Sequence, residues 1–272
     1  ADIRQPLNLE LKAPVDTCYH LAAVCREPGY PKQEYYDTNH TGTKNVIDLV
    51  RGNGIPEIIF TSTMMVYPAG DLRCDEDSAL SPNTAYGSSK ALAEGELIKW
   101  SEEGGRLRIV RPGGVFGPGD YGKYILMYHA LKKGLFCYIG RKTTVKGSIY
   151  VKDLVACLRF METEKARGVL YNGVFPKAST IEDIVNAICK SKRWRRFVPV
   201  LPYRLTRTVA YLGSFLNAVG VRNGIHPRRV DKLYFSTDVS ADALIKDGFR
   251  FSYDLKAAIG DWVLESKNGD LH

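Results

Sequence analysis

The chain has 272 residues, 44% of them hydrophobic and 25% charged, the balance of one large domain or of a main domain with a smaller lobe. No apolar run is long enough to span a bilayer, so no transmembrane helix is expected. The net charge of +8 is uneven: residues 190–232 hold eleven Lys or Arg and one acid, Asp231, so the other 229 residues carry −2.

Taken in chain order, VDTCYHLAA (15–23) predicts a buried strand that ends in small residues. TKNVIDLVRGNG (43–54) has helical periodicity with glycine as its stop. EIIFTSTMMVY (57–67), after Ile55-Pro56, is β-branched and aromatic and predicts a second strand. A helix follows over 85–105, then a strand over RLRIVRPGGVFG (106–117). VKDLVACLRFME (151–162) and TIEDIVNAICKSK (180–192) predict helices on either side of a strand at GVLYNGV (168–174). The stretch 198–232 is helical in pattern but bounded by prolines, and predicts part of a smaller C-terminal lobe. Strands alternating with helices predict an α/β fold with a parallel sheet covered on both faces. There is no internal repeat and no low-complexity tract.

The six cysteines (18, 25, 74, 137, 157 and 189) form no CxxC pair and have no histidine cluster beside them. They predict scattered buried thiols in a reducing, cytoplasmic setting and no metal site. The basic zone at 190–232 fits a phosphate-bearing partner, either a nucleotide or an anionic membrane surface, or else a solvated face with no ligand. No nucleic-acid motif or aromatic-basic platform accompanies it, so no nucleic-acid partner is expected.

The stretch SPNTAYGSSKALAE (81–94) places Tyr86 and Lys90 four residues apart within the predicted helix, hence on one face. A lysine beside a tyrosine favours the phenolate and tunes it for proton transfer. The spacing alone is common, but its company is not. Thr61, Ser62 and Thr63 end a strand at the edge where open α/β sheets bind ligands. HLAA (20–23) and RPGGVFGPGD (111–120) put small residues and glycines at two more strand ends.

With these pieces, together with DIR (2–4), EYYDTNHTGTKNV (34–46), SIYVKDLV (148–155) and GFRFSYDLKAAIGDW (248–262), the chain resembles an extended short-chain dehydrogenase/reductase over nearly its whole length. It is similar to the NAD-dependent epimerase/dehydratase family, which acts mainly on nucleotide sugars. The resemblance implies a Rossmann-type doubly wound sheet with a smaller C-terminal substrate lobe. Residues 1–165 would form the dinucleotide-binding core, rejoined by 168–190, with 120–150 and 191–272 mainly in the lobe. NAD would be the cofactor, with NADP as the other carrier the family uses.

Carried over, the resemblance makes Tyr86 the acid/base and Lys90 the residue that holds the nicotinamide ribose and depresses the tyrosine's pKa. Thr63 would bond the reacting hydroxyl. Asp2 and Ile3 would flank the adenine, and Leu21, Ala22, Ala23, Thr38, Thr61 and Ser62 would line the dinucleotide. Pro112, Gly113 and Val115 would pass beside the nicotinamide. Thr63, Tyr86, Gly114, Lys146 and Arg228 would meet a small-molecule substrate. A homodimer is the assembly common among relatives.

Three departures accompany the resemblance. The family opens on a strand, a GxxGxxG turn and a helix, a stretch of about 60 residues that these 272 do not contain. A preceding segment is expected to supply it. Gly114 and Lys146 stand where the UDP-galactose epimerase branch carries Asn and Arg, and lysine pairs with phosphate without a bidentate fork. RPGGVFGP is also worded like the 3β-hydroxysteroid dehydrogenase and dihydroflavonol reductase branches, so a membrane-associated oxidoreductase using 198–232 as its contact is the alternative. A non-catalytic cofactor sensor is the second. Met64 and Met65 after Thr63 lack the acid pair of the dehydratases, which ranks epimerase or reductase above them. His20 reads as a structural residue whose ring meets backbone, and Asn39 as a helix-start residue.

Overall fold

A computed structural model describes residues 1–27, 29–218, 227–266 and 270–271 of the chain, with the side chains of residues 212, 214–218, 228 and 229 outside that description. The first half alternates as predicted, with one added strand, β3. Strand β1 (Thr17–His20) is followed by α1 (Lys32–Tyr35), a π-helical turn (Tyr36–Thr41) and α2 (Gly42–Gly52). Then come β2 (Glu57–Thr61), a 3-10 turn (Met64–Val66), β3 (Gly70–Cys74), α3 (Ala85–Glu102) and β4 (Arg106–Pro112). The 57–67 stretch therefore leaves the sheet at Thr61, because Thr63 caps the 3-10 turn by accepting from Met65 N.

The second half is more broken. It contains β5 (Gly114–Phe116), α4 (Lys123–Lys132), β6 (Tyr138–Ile139), β7 (Val145–Lys146), β8 (Ser148–Tyr150) and α5 (Val151–Phe160). After these come β9 (Leu170–Gly173), β10 (Ser179–Thr180), α6 (Ile181–Ser191), β11 (Val200–Leu201), α7 (Tyr203–Ala218) and α8 (Pro227–Tyr234). The chain ends with β12 (Thr237–Val239), α9 (Asp242–Lys246) and α10 (Leu255–Glu265).

The main sheet is β1-β2-β4-β9, every pair parallel. Period-two alternation divides its side chains between two cores. Ile58, Phe60, Leu107 and Ile109 face α2 and α3, meeting Val46, Val50, Leu97 and Trp100. Ile59, Val110 and Tyr171 face the other way, onto Cys157 and Leu158 of α5, Met161 just past its end and Leu244 of α9. This is the doubly wound arrangement expected.

A third core belongs to the smaller lobe: Phe116, Tyr124 and Tyr128 meet Ile184 and Ile188 of α6 and Trp262 of α10. Of the segment 168–190, β9 joins the main sheet, but α6 packs into this lobe. Conversely α9, expected in the lobe, covers the main sheet. In both cases the apolar face of the helix decides. A second, mixed sheet has the order β10-β7-β12-β3.

Candidate active site

Helix α3 begins at Thr84, whose hydroxyl accepts from Gly87 N at 3.0 Å. A Cβ on Gly87 would lie 2.3 Å from the Met65 carbonyl oxygen. Only glycine lets the first turn of α3 rest directly on the 3-10 turn. That contact brings Tyr86 toward Thr63, whose hydroxyl is the group that favours the phenolate. Lys90, one turn further, is 1% exposed and lies 3.8 Å above the centre of the Phe60 ring. Among the described residues no carboxylate forms an ion pair with it.

The electrostatics correct one expectation. Burial pushes the Tyr86 phenol well above its ordinary value, and only the Thr63 hydrogen bond pulls it down. Burial also lowers Lys90 to about 7, against the opposing charges of Glu94 and Cys25. At the tyrosine, burial outweighs what a partly charged lysine contributes. The pair is instead poised as a neutral acid beside an amine that titrates near neutrality.

The loop after β1 is clamped onto α3. Asn39 accepts from Val24 N (2.8 Å) and donates to the Val24 carbonyl (3.0 Å) and to Ser89 Oγ (2.9 Å), which donates to the Tyr86 carbonyl (2.9 Å). Tyr35 holds the Arg26 carbonyl at 2.5 Å. Asn39 is thus a clamp between loop and helix rather than a helix-start residue, and the sequence shows only its type, not its two partners. The clamped loop leaves Leu21, Ala22 and Ala23 exposed. It also carries Cys25, an exposed thiol whose charge would act on both Tyr86 and Lys90. The cysteines are free, but only Cys74 and Cys157 are buried.

His20 does not meet backbone. Thr43 gives its one proton to the Asn39 carbonyl (2.6 Å), so at 2.8 Å it must accept from His20 Nε2. Burial and the nearby Lys90 charge hold this imidazole neutral, at about 3.

Behind α3 lies a buried polar network. Arg111 grips Glu94 through two bonds, 3.0 and 2.6 Å, and donates to Tyr67 at 2.7 Å, which donates to Asn172 at 2.9 Å. Ser62 donates to the same Glu94. Ser62 was expected to touch the dinucleotide, but strand alternation turns it toward α3 and its hydroxyl is committed there. Its neighbours differ. The Thr61 hydroxyl and that of Thr38 in the π-helical turn are buried with no partner. Two orphaned buried hydroxyls, with an amine that no carboxylate pairs, fit a polar ligand at the sheet edge.

The remaining expected residues divide. Asp2 is tied to Arg4, which also reaches Glu34 at 2.9 Å, and the Ile3 carbonyl accepts from Asn45 at 2.7 Å, so both are held against α1 and α2. Pro112 is buried, and Val115 is 37% exposed. A Cβ on Gly113 would strike the Gly147 backbone at 2.6 Å, so close packing of protein on protein already demands that glycine. Gly114 N pairs with the Gly147 carbonyl at 2.9 Å. Lys146 was expected to grip phosphate, but its amine donates to the Lys232 carbonyl (2.7 Å) and the Phe235 carbonyl (2.5 Å). Burial, with the charges of Lys123 and Arg141, lowers it to about 7. The side chain of Arg228 lies outside the described residues.

Known proteins bear on this geometry. The family model "NAD dependent epimerase/dehydratase family" matches residues 3–172. The N-acetyl-alpha-D-glucosaminyl-diphospho-ditrans,octacis-undecaprenol 4-epimerase of Escherichia coli O157:H7 is 29% identical over 264 residues, 95% of this chain and 80% of that protein. The decarboxylating sterol-4-alpha-carboxylate 3-dehydrogenase of Homo sapiens is 28% identical over 159 residues, 56% of this chain and 42% of that protein. Among solved structures, UDP-glucuronic acid 4-epimerase from Bacillus cereus in complex with NAD superposes with a TM-score of 0.67 at 16% identity, covering 90% of this chain and 72% of that one. The matched residues, the doubly wound sheet and the Tyr86–Lys90 helix agree: this chain is a member of the NAD-dependent epimerase/dehydratase family.

Proposed function

We propose that this chain catalyses epimerisation or reduction at a hydroxyl-bearing carbon of a diphosphate-linked sugar, with Tyr86, Lys90 and Thr63 as its catalytic residues. The observation that carries the reading is the junction of α3 with the 3-10 turn, where Thr63 meets the Tyr86 phenol and Lys90 is buried one turn away. A relative matched over 95% of this chain is named for a sugar carried on a polyprenyl diphosphate, and a diphosphate sugar on a lipid or a nucleoside is the substrate class proposed.

The orphaned hydroxyls of Thr38 and Thr61, the exposed Leu21–Ala23 edge and the Lys90 amine fit a nicotinamide dinucleotide. NAD, when bound, supplies hydride exchange at the sugar carbon. Lys90 would hold a ribose hydroxyl, and Thr38 and Thr61 would bond along the dinucleotide. Thr63 would orient the substrate hydroxyl. Tyr86, a neutral phenol, would give its proton to the carbonyl oxygen as the carbon is reduced, and the phenolate so formed would take it back as the carbon is oxidised. Asn39 and Ser89 keep the loop and helix in register. A homodimer in the cytoplasm remains the proposed setting.

A second reading, dehydrogenation of a sterol, is favoured by one observation: Lys146 is occupied by backbone carbonyls rather than free for phosphate. Substituting Tyr86→Phe tests the catalytic assignment. Turnover of UDP- or polyprenyl-linked sugars in the presence of NAD should fall by about 100-fold or more while NAD affinity is kept. Undiminished turnover would remove Tyr86 from the chemistry. Turnover of a 3β-hydroxysterol in place of sugars would select the second reading.

A further inference from the structure

We propose that the corner where β6 and β11 meet the first turns of α7 is a docking face for an anionic lipid bilayer. Strands β6 and β11 pair in parallel, Val200 opposite Tyr138 and Leu201 opposite Ile139. Three residues before each of the first pair stand Phe197, 90% exposed, and Leu135, 75% exposed. Arg196 joins these two approaches by donating to the Lys132 carbonyl at 2.8 Å. Val200 and Leu201 are exposed in their turn.

The chain then enters α7, whose first two turns carry large apolar side chains outward. Ala210 is fully buried against Ile139 and Val230. Leu205 and Val209, one turn apart, point to solvent at 61% and 48% exposed. A helix of a water-soluble surface turns such a pair inward. Here the inner side is taken by Ala210 and by Tyr203, which stacks on Tyr234 with ring centres 3.9 Å apart. Six large apolar side chains thus stand outward within a stretch of strand, turn and helix, more than scattered surface residues account for.

Charge identifies the occupant. Arg193, Arg195, Arg196 and Arg204 are exposed along this same stretch. Nearby acids are already engaged: Asp231 accepts from Tyr203 (2.8 Å) and Arg207 (3.1 Å), and Asp270 is bound by Lys132 (2.7 Å) and Tyr128 (2.5 Å). An apolar ridge with a cationic rim matches a surface that is negative at its headgroups and apolar just beneath. The inference rests on the proposed function only in its purpose, since docking would bring the substrate lobe to a diphosphate sugar carried by a lipid.

The test is sedimentation of the full chain with phosphatidylcholine vesicles containing phosphatidylglycerol, against phosphatidylcholine alone, without sugar or NAD. Binding is then read separately from catalysis, and Tyr86→Phe should bind as the parent does. The parent should sediment with the anionic vesicles only. Leu205→Glu with Val209→Glu should weaken that binding by about tenfold or more at an unchanged thermal midpoint. Phe197→Ser, at a side chain too exposed to matter for folding, should weaken it as well. The proposal is overturned if the parent ignores anionic vesicles or if both variants bind undiminished. It is also overturned if the parent sizes as a dimer that the Leu205/Val209 variant splits, because the face would then belong to a second copy.

Discussion

Lys90 shows how burial alone sets the character of a side chain. Its amine lies over the Phe60 ring in a residue 1% exposed and is lowered to about 7, whereas a lysine in the unfolded chain titrates near 10.4. Between those values the unfolded chain holds a proton that the folded chain has released. Stability therefore rises with pH across that window, and the penalty is complete below pH 7. His20, lowered to about 3, acts with the same sign at lower pH, so stability also falls as pH drops from about 6.5 toward 3. Lys90→Met should raise the urea midpoint at pH 7 and flatten its climb between pH 7 and 10, leaving the acid limb as it was. A midpoint with the same slope in parent and variant would mean that the amine is solvated.

At the scale of elements, one glycine governs the site. Helix α3 can place Tyr86 beside Thr63 only because Gly87 permits backbone contact with the 3-10 turn. The far side of α3 is pinned by the Arg111–Glu94 pair, so the helix cannot slide to relieve a clash. Gly87→Ala must therefore push the first turn outward and separate phenol from hydroxyl. Misplacement of this order costs about 100-fold in rate. The expected result is a loss in kcat far larger than the change in thermal midpoint warrants, with NAD affinity moved little. A proportionate loss of both would mean that the helix merely unfolds locally.

The whole molecule adds a link between its two bodies. The Lys146 amine holds the end of α8 by two carbonyls, and the Lys232 amine on α8 reaches back to the Glu27 carbonyl at 2.7 Å. The lobe is thereby tied to the clamped loop that borders the site. One such bond contributes about 1 kcal/mol net. Lys232→Met should accordingly raise KM for substrate about fivefold and speed amide exchange over residues 21–27, with kcat nearly kept. Unchanged exchange in that loop would show that the bond carries no closure.

Much of this was legible in the residues themselves. Alternation of Ile58, Ile59 and Phe60, and of Leu107, Ile109 and Val110, dictates a strand buried on both faces, and helices with one apolar stripe must cover it. The four strands of the main sheet follow from that local chemistry. So does the placing of Tyr86 and Lys90 on one helical face, because i and i+4 are neighbours wherever a helix forms. Short strands such as β6, β7 and β10 were not legible, since two residues leave no periodicity to read. Only the tertiary structure decided the direction of Ser62 toward Glu94, the capture of Lys146 by two carbonyls and the bridging role of Asn39. These depend on which distant segment arrives opposite each side chain. The charge states of Tyr86, Lys90 and His20 belong to the same class, because burial is a property of the packed molecule and not of the residue.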